Sequence, residues 1–211
     1  QDYKLESLSE AKKTFYGGVY LERYSRNKTK FLMKIAVVSF ECSPANDREI
    51  SFPNKQRYCD KHGYDFVSYT DPVQKDIHPA WSKVPYVSKH LDDYDWVVWM
   101  DSDTYLINTD IKLESFIDES KNFIIQTKLS GSICCGAFFI KNSKWSVDLL
   151  NQWWSTRFDT ECLDPNNKIW EELGLKKIVG DQGQKDLDNI KVLTEGLQSN
   201  PEDTNKNTFL I

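Results

Sequence analysis

Asp101 and Asp103 stand one residue apart, with Ser102 between them, directly behind the apolar run "DWVVWM" (95–100). Two carboxylates held this close repel one another unless a cation sits between them. Hard divalent ions such as Mg²⁺ and Mn²⁺ suit such oxygen ligands, and typically share one or two carboxylates with a bound phosphate. A solvated or turn-capping pair is the competing reading of any isolated Asp-x-Asp. Position favours the metal reading. Ligands of an open α/β sheet bind outside the carboxyl ends of its strands, and the residues before Asp101 have the composition of a buried strand. On an extended backbone both side chains would project the same way.

Two other chemistries use Asp-x-Asp. A calcium-binding EF-hand loop needs Gly at its sixth position and an acid at its twelfth; here those positions hold Leu106 and Lys112. Phosphatases of the haloacid dehalogenase type also begin with strand-Asp-x-Asp, and Asp101 would then be the nucleophile, with Mg²⁺ beside it. That pattern places Thr or Val at the fifth position, where this chain has Tyr105, and on the first strand rather than the third.

The elements that must hold the pair alternate in type. "KIAVVSF" (34–40) reads as a strand buried on both faces. "NKQRYCDKHG" (54–63) reads as a polar helix stopped at Gly63, with His62 near its end facing the helix dipole. "YDFVSYT" (64–70) is a strand. Trp81, Val84, Val87 and Leu91 fall at helical spacing, with Pro85 in a first turn or at a kink. "DWVVWM" is the third strand. The order strand, helix, strand, helix, strand implies a parallel α/β sheet. Further along, "FIIQTK" (123–128), "GAFFIKN" (136–142) and "IKVL" (190–193) read as strands. "SKWSVDLLNQWWSTRF" (143–158) reads as a helix capped by Ser143, and "GDQGQKDLDN" (180–189) as the start of another. Residues 1–32 stand apart as an accessory or appended segment opened by a helix, "YKLESLSEAKKTF", and residues 33–211 form the main domain.

Composition narrows the function classes. The net charge is −5 and the basic residues are scattered, which argues against a nucleic-acid partner. No apolar run reaches the roughly 18 residues of a membrane span. Five cysteines, with no C-x-x-C spacing, fit reduced thiols and a cytoplasmic setting better than a disulfide framework or a zinc site. Seven tryptophans exceed the needs of a core this size; those at 145, 153 and 154 follow helical spacing.

Four stretches, in order, resemble the nucleotide-sugar glycosyltransferases of the GT-A fold, and most of all glycosyltransferase family 34, the galactosyl, xylosyl and mannosyl transferases. They are "NKQRYCDKHGYDF" (54–66), "AWSKVPYVSKHLDDYDWVVWMDSDTYLIN" (80–108), "GAFFIKNSKWSVDLLNQWW" (136–154) and "GDQGQKDL" (180–187). The resemblance implies a Rossmann-like, mainly parallel α/β sheet flanked by helices. It implies transfer of a sugar from a UDP-sugar donor (UDP-glucose, UDP-galactose, UDP-xylose or similar) to a glycan or glycoprotein acceptor, with Mn²⁺ or Mg²⁺ as cofactor. A non-catalytic sugar-nucleotide-binding domain is the remaining alternative. The chain would act as a monomer or as part of a larger multidomain protein. The resembling family is mostly Golgi-anchored, which opposes the cytoplasmic reading of the cysteines.

The resemblance also implies roles. Asp101 and Asp103 would hold the metal, with Asp101 and Ser102 also near the ribose. Ser39, Phe40 and Glu41, together with Tyr69 and Asp71, would cradle uracil and ribose, and Lys83 would reach toward the diphosphate. Asp181 and Gln182 would face the donor sugar and the reaction centre. The family retains anomeric configuration; under inversion Asp181 would be the base, and as a bland alternative it caps the following helix. The family also completes its metal site with a late His. This chain has no His after Asp103 and ends on "NTFLI" (207–211), which reads as the strand leading there. Either the domain continues in a longer protein, or water takes that ligand's place.

Overall fold

A computed structural model describes residues 13–16, 19–22, 33–42, 47–164, 166, 169–199 and 208–210. Contacts separate Gln1–Leu32 from Met33–Ile211. In the first unit, β1 (Lys13–Tyr16) and β2 (Val19–Glu22) pair antiparallel. The helix expected over residues 3–15 therefore gives way to a strand from Lys13 onward, where Thr14, Phe15 and Tyr16 are strand formers. Its earlier residues lie outside the described ones.

The second unit is built on six strands: β3 (Ile35–Phe40), β4 (Asp65–Tyr69), β5 (Trp96–Met100), β6 (Phe123–Thr127), β7 (Ile133–Lys141) and β8 (Ile190–Leu193). Their order across the sheet is β4-β3-β5-β7-β6-β8. β3 runs parallel to β4 and β5, and β6 runs parallel to β8. β7 runs antiparallel to both β5 and β6. The sheet is thus mixed and mainly parallel, and the carboxyl ends of every strand except β7 meet at one edge.

Every residue of β3 and β5 is buried, as continuous apolar runs require. Alternation sorts them onto two faces. Val97 and Trp99 join one core layer with Trp81, Val87, Leu149 and Trp153. Trp96, Val98 and Met100 join the other with Tyr58, Phe139 and Phe209. The first layer is covered by α2 (Lys83–His90), α3 (Lys144–Ser155) and α5 (Trp170–Val179), the second by α1 (Asp47–His62). A short α4 (Thr160–Leu163) lies between α3 and α5 in the chain.

Several elements depart from expectation. α1 starts seven residues before Asn54 and carries Pro53 in its interior, where the missing N–H forfeits one helical bond. Pro85 falls in the first turn of α2, where it costs no such bond. The Ser143 hydroxyl accepts from Ser146 N and caps α3, which ends at Ser155 and passes into a 3-10 turn. The helix expected from Gly180 is absent: Gly180 (φ 86°) and Gly183 (φ 71°) adopt left-handed backbone, which leaves only a 3-10 turn at Gln184–Asp186. Near the C-terminus Thr208, Phe209 and Leu210 are buried, and among the described residues they form only isolated bridges, from Leu210 to Leu106 and Gln198. α5 has no counterpart in the sequence reading.

Candidate functional site

A cleft of about 480 Å³ opens at the strand-end edge. It is lined by Phe40 and Glu41 after β3, by Trp99, Asp101, Ser102 and Asp103 at the end of β5, by His78 and Lys83 around the start of α2, and by Glu171 on α5. Among the described residues, four carboxylates (Glu41, Asp101, Asp103, Glu171) face it against one ammonium, Lys83.

The aspartates do not sit on extended backbone. Thr104 N donates to Asp101 O (3.2 Å), and the Thr104 hydroxyl donates to the same oxygen (2.7 Å), closing a turn over residues 101–104. The expected two-residue alternation therefore fails, although both side chains still reach the cleft. Asp101 continues the phase of Val97 and Trp99, so it leans toward α2 and α5. Its Oδ1 accepts from Trp99 Nε1 (2.6 Å) and pairs with Lys83 Nζ (3.2 Å). Among the described residues Oδ2 has no partner, and a third of the side chain stays exposed. Asp103 is exposed. Ser102 donates to Glu41 Oε2 (2.6 Å), tying the turn to the end of β3.

Lys83 is buried, in contrast to the solvated lysine of an ordinary helix face. Its ammonium donates to Cys135 O (3.0 Å) and pairs with Glu171 Oε1 (2.7 Å) as well as Asp101. Burial works against its charge, but Asp101 and Glu171 outweigh that and hold its pKa above the ordinary lysine value. α5 is fixed by a second ion cluster, in which Glu172 Oε1 binds Lys176 (2.7 Å) and Lys128 (3.0 Å).

The remaining sequence-derived residues divide. Phe40 and Glu41 line the cleft. Ser39 is fully buried, its hydroxyl given to Met100 O (2.6 Å), so it braces β3 against β5 behind the cleft. Tyr69 stacks on Tyr86 (3.7 Å between centroids, 10°) and its hydroxyl bonds His90 Nε2 (2.7 Å). Asp71 is exposed and its carbonyl accepts from the Tyr86 hydroxyl. Asp181 and Gln182 are exposed in the loop before β8, anchored to β7 through Ile133 N donating to Asp181 O (2.8 Å), and do not line the cleft. With Asp181 followed by turn rather than helix, its capping alternative falls.

For a divalent metal the donor set fits in part. Asp101 Oδ2 and Asp103 offer oxygen ligands, and no group of three His, Cys, Asp or Glu positioned for a metal occurs among the described residues. Such a pair suits an ion that takes its other ligands from phosphate and water.

The sequence pattern of the galactosyl transferase GMA12/MNN10 family matches residues 28–122. Over that stretch the chain is similar to glycosyltransferase family 34. A probable xyloglucan 6-xylosyltransferase 3 of Arabidopsis thaliana is 26% identical over 165 residues, covering 72% of this chain and 35% of that protein. Galactomannan galactosyltransferase 1 of Cyamopsis tetragonoloba is 25% identical over 164 residues, covering 72% of this chain and 37% of that protein. The chain spans little more than a third of the length of these two relatives. Among solved structures, a glycosyltransferase involved in the glycosylation of the major capsid of PBCV-1 superposes with a TM-score of 0.62 at 19% identity, covering 76% of this chain and 81% of that one. The fold is GT-A.

Within this family-34 likeness, the stretch from Asn54 to Gly63 acquires a physical role. One face of α1 clamps the loop that follows the aspartates. Asn54 exchanges bonds with the Leu106 backbone (2.8 and 3.1 Å), Tyr58 donates to Ile111 O (2.7 Å), and His62 Nε2 meets Thr109 O (2.8 Å). His62 stands in the last turn of α1, where the dipole reading put it, and makes this specific contact besides. Lys55 is fully buried and donates to the carbonyls of Asp101 (2.8 Å) and Thr104 (2.9 Å). Burial pushes its pKa down to about 8 against the pull of Asp101 and Asp103. Residues 54, 58 and 62 recur every fourth position, so the shared face was readable; its target was not. Glu171 carried no such signal, because its helix went unread.

Proposed function

We propose that this family-34-like domain transfers a sugar from a UDP-sugar donor to a hydroxyl of a glycan, with a divalent metal. The observation that carries the reading is the charge of the cleft: four carboxylates and one lysine at the carboxyl ends of parallel strands. A diphosphate meets net repulsion there unless cations enter with it.

Asp101, through Oδ2, and Asp103 would hold Mn²⁺ or Mg²⁺. The bound ion supplies charge neutralisation at the departing diphosphate. Phe40, Glu41, Tyr69 and Asp71 would form the wall for uracil and ribose, with Ser102 held by Glu41 at the ribose side. Lys83, its ammonium held by Asp101, Glu171 and Cys135 O, places a fixed positive charge beneath the diphosphate rather than a free arm. Asp181 and Gln182 would meet the donor sugar from the β8 side when substrate is bound. The xylosyl and galactosyl transferases among the relatives support xylose or galactose as the transferred sugar.

Calorimetric titration of UDP with and without Mn²⁺, repeated on Asp103→Ala, tests this. Metal-dependent binding that the substitution removes supports the reading. Absence of UDP binding under both conditions overturns it and directs attention to phosphate esters.

A further inference from the structure

Among the described residues, Glu171 is the cleft carboxylate that neither the Asp-x-Asp turn nor the strand ends supply. Its side chain is only 10% exposed. Oε1 is committed to Lys83 at 2.7 Å, while Oε2 has no partner among the described residues and belongs to a side chain that lines the cleft. Its helix is held rigidly at this point: Trp153 Nε1 donates to Glu171 O (2.6 Å), and the neighbouring Trp170 stacks on His78 (3.4 Å, 13°) at the cleft wall. A carboxylate held in place by one oxygen, with the other open to a cavity, is an acceptor already positioned for a ligand donor.

The chemistry narrows that donor. The doubly esterified diphosphate of a nucleotide sugar has no proton to offer a carboxylate at neutral pH and would be repelled by it. A metal at Glu171 would meet the Lys83 ammonium, which stands between Glu171 and Asp101. Sugar hydroxyls are neutral donors, and a fixed carboxylate accepts from them strongly.

We propose that Glu171 is a specificity-determining residue that accepts hydrogen bonds from hydroxyls of the donor sugar. This rests on the nucleotide-sugar reading above. Lys83 then does two things at once: it anchors Asp101 on the diphosphate side and orients Glu171 on the sugar side.

The test separates the sugar from the nucleotide. With Mn²⁺ present, UDP and each of UDP-glucose, UDP-galactose and UDP-xylose are titrated into wild type, Glu171→Gln and Glu171→Ala, and thermal melts establish that each variant is folded. The expected result is selective. For the donor that wild type binds best, Glu171→Gln weakens binding about tenfold and Glu171→Ala more, while UDP affinity moves less than about threefold. A purely structural role through Lys83 would shift UDP and UDP-sugar together, and that outcome overturns the proposal. So does an unchanged affinity for every donor, or wild type that binds UDP but none of the three sugars. Failure of wild type to bind UDP at all removes the nucleotide-sugar reading itself, a result distinguishable from the others.

Discussion

The ammonium of Lys55 rests on the main chain of Asp101, with Nζ 2.8 Å from the Asp101 carbonyl and 2.9 Å from that of Thr104. A cation buried on backbone oxygens holds the turn from below, so the carboxylates above it need not contribute. Lys55→Met keeps the apolar stem and removes the donors. The expected cost is about 2 kcal/mol, from carbonyls left unsatisfied. That corresponds to a melting temperature lower by about 4–8 °C for a chain of this size. Differential scanning calorimetry checks the stability, and Mn²⁺-dependent UDP titration checks the expected loosening of the aspartates.

Lys83→Met leaves Asp101 and Glu171 facing one another without their shared cation. Removing one partner of a buried pair costs about 3–5 kcal/mol. The lower end is expected, because Asp101 keeps a third of its surface exposed. Urea unfolding of Lys83→Met measures this. In the double variant with Glu171→Gln the loss should be smaller than the sum of the two singles, because one of the stranded charges is gone.

Gly174 sits in the middle of α5, where alanine would ordinarily gain about 1 kcal/mol. Here a Cβ would lie 2.7 Å from Trp81 Cη2 and closer still to Thr156 Oγ1. Gly174→Ala is therefore expected to destabilise, by about 1–3 kcal/mol of overpacking. A melting temperature equal to or above wild type would refute the close packing of α5 on the Trp81 turn.

Burial raises the Glu172 pKa, but hydrogen bonds from Lys176 and Lys128 outweigh it, and the carboxyl ends below its ordinary value. A depressed carboxyl adds stability that is fully present above its unfolded pKa, near 4.5, and is lost as pH falls through the lower folded value. Glu172→Gln should cost about 2 kcal/mol at pH 7, below the range for fully buried pairs because Lys128 remains 42% exposed. The loss should shrink as the pH drops below 4. Chemical denaturation at pH 7 and pH 3 compares the two limbs.

The central strands β3 and β5 were legible because each is a short apolar run buried on both faces, edge strand β4 because it is rich in β-branched and aromatic residues, and the aspartates because they follow such a run. What escaped was chemistry carried by helices. In α5 the pair Glu171–Glu172 looks like a solvated first turn, and Gly174 looks like a breaker, yet Glu171 is buried against Lys83 of α2, Glu172 against Lys128 as well as Lys176 of its own helix, and the glycine admits Trp81. Conversely, the run from Gly180 reads as helical by its polar residues, while two glycines at positive φ turn it away. For the α5 glutamates a partner distant in the chain decided the outcome, as it did for Lys55, whose target lies 46 residues further on.

Lys55 and Lys83 are enclosed, at 0% and 2% exposure, whereas Lys144 at the start of α3 has an 87% exposed side chain. Amine-reactive reagents will therefore acylate the surface lysines quickly and pass over these two. Their labelling rate becomes an internal clock for opening of the cleft floor: modification of Lys55 reports release of the aspartate turn, and modification of Lys83 reports separation of α5 from β5. A ligand that seats on both sides of the cleft should slow the two clocks together, and one that binds only at the turn should slow the first alone.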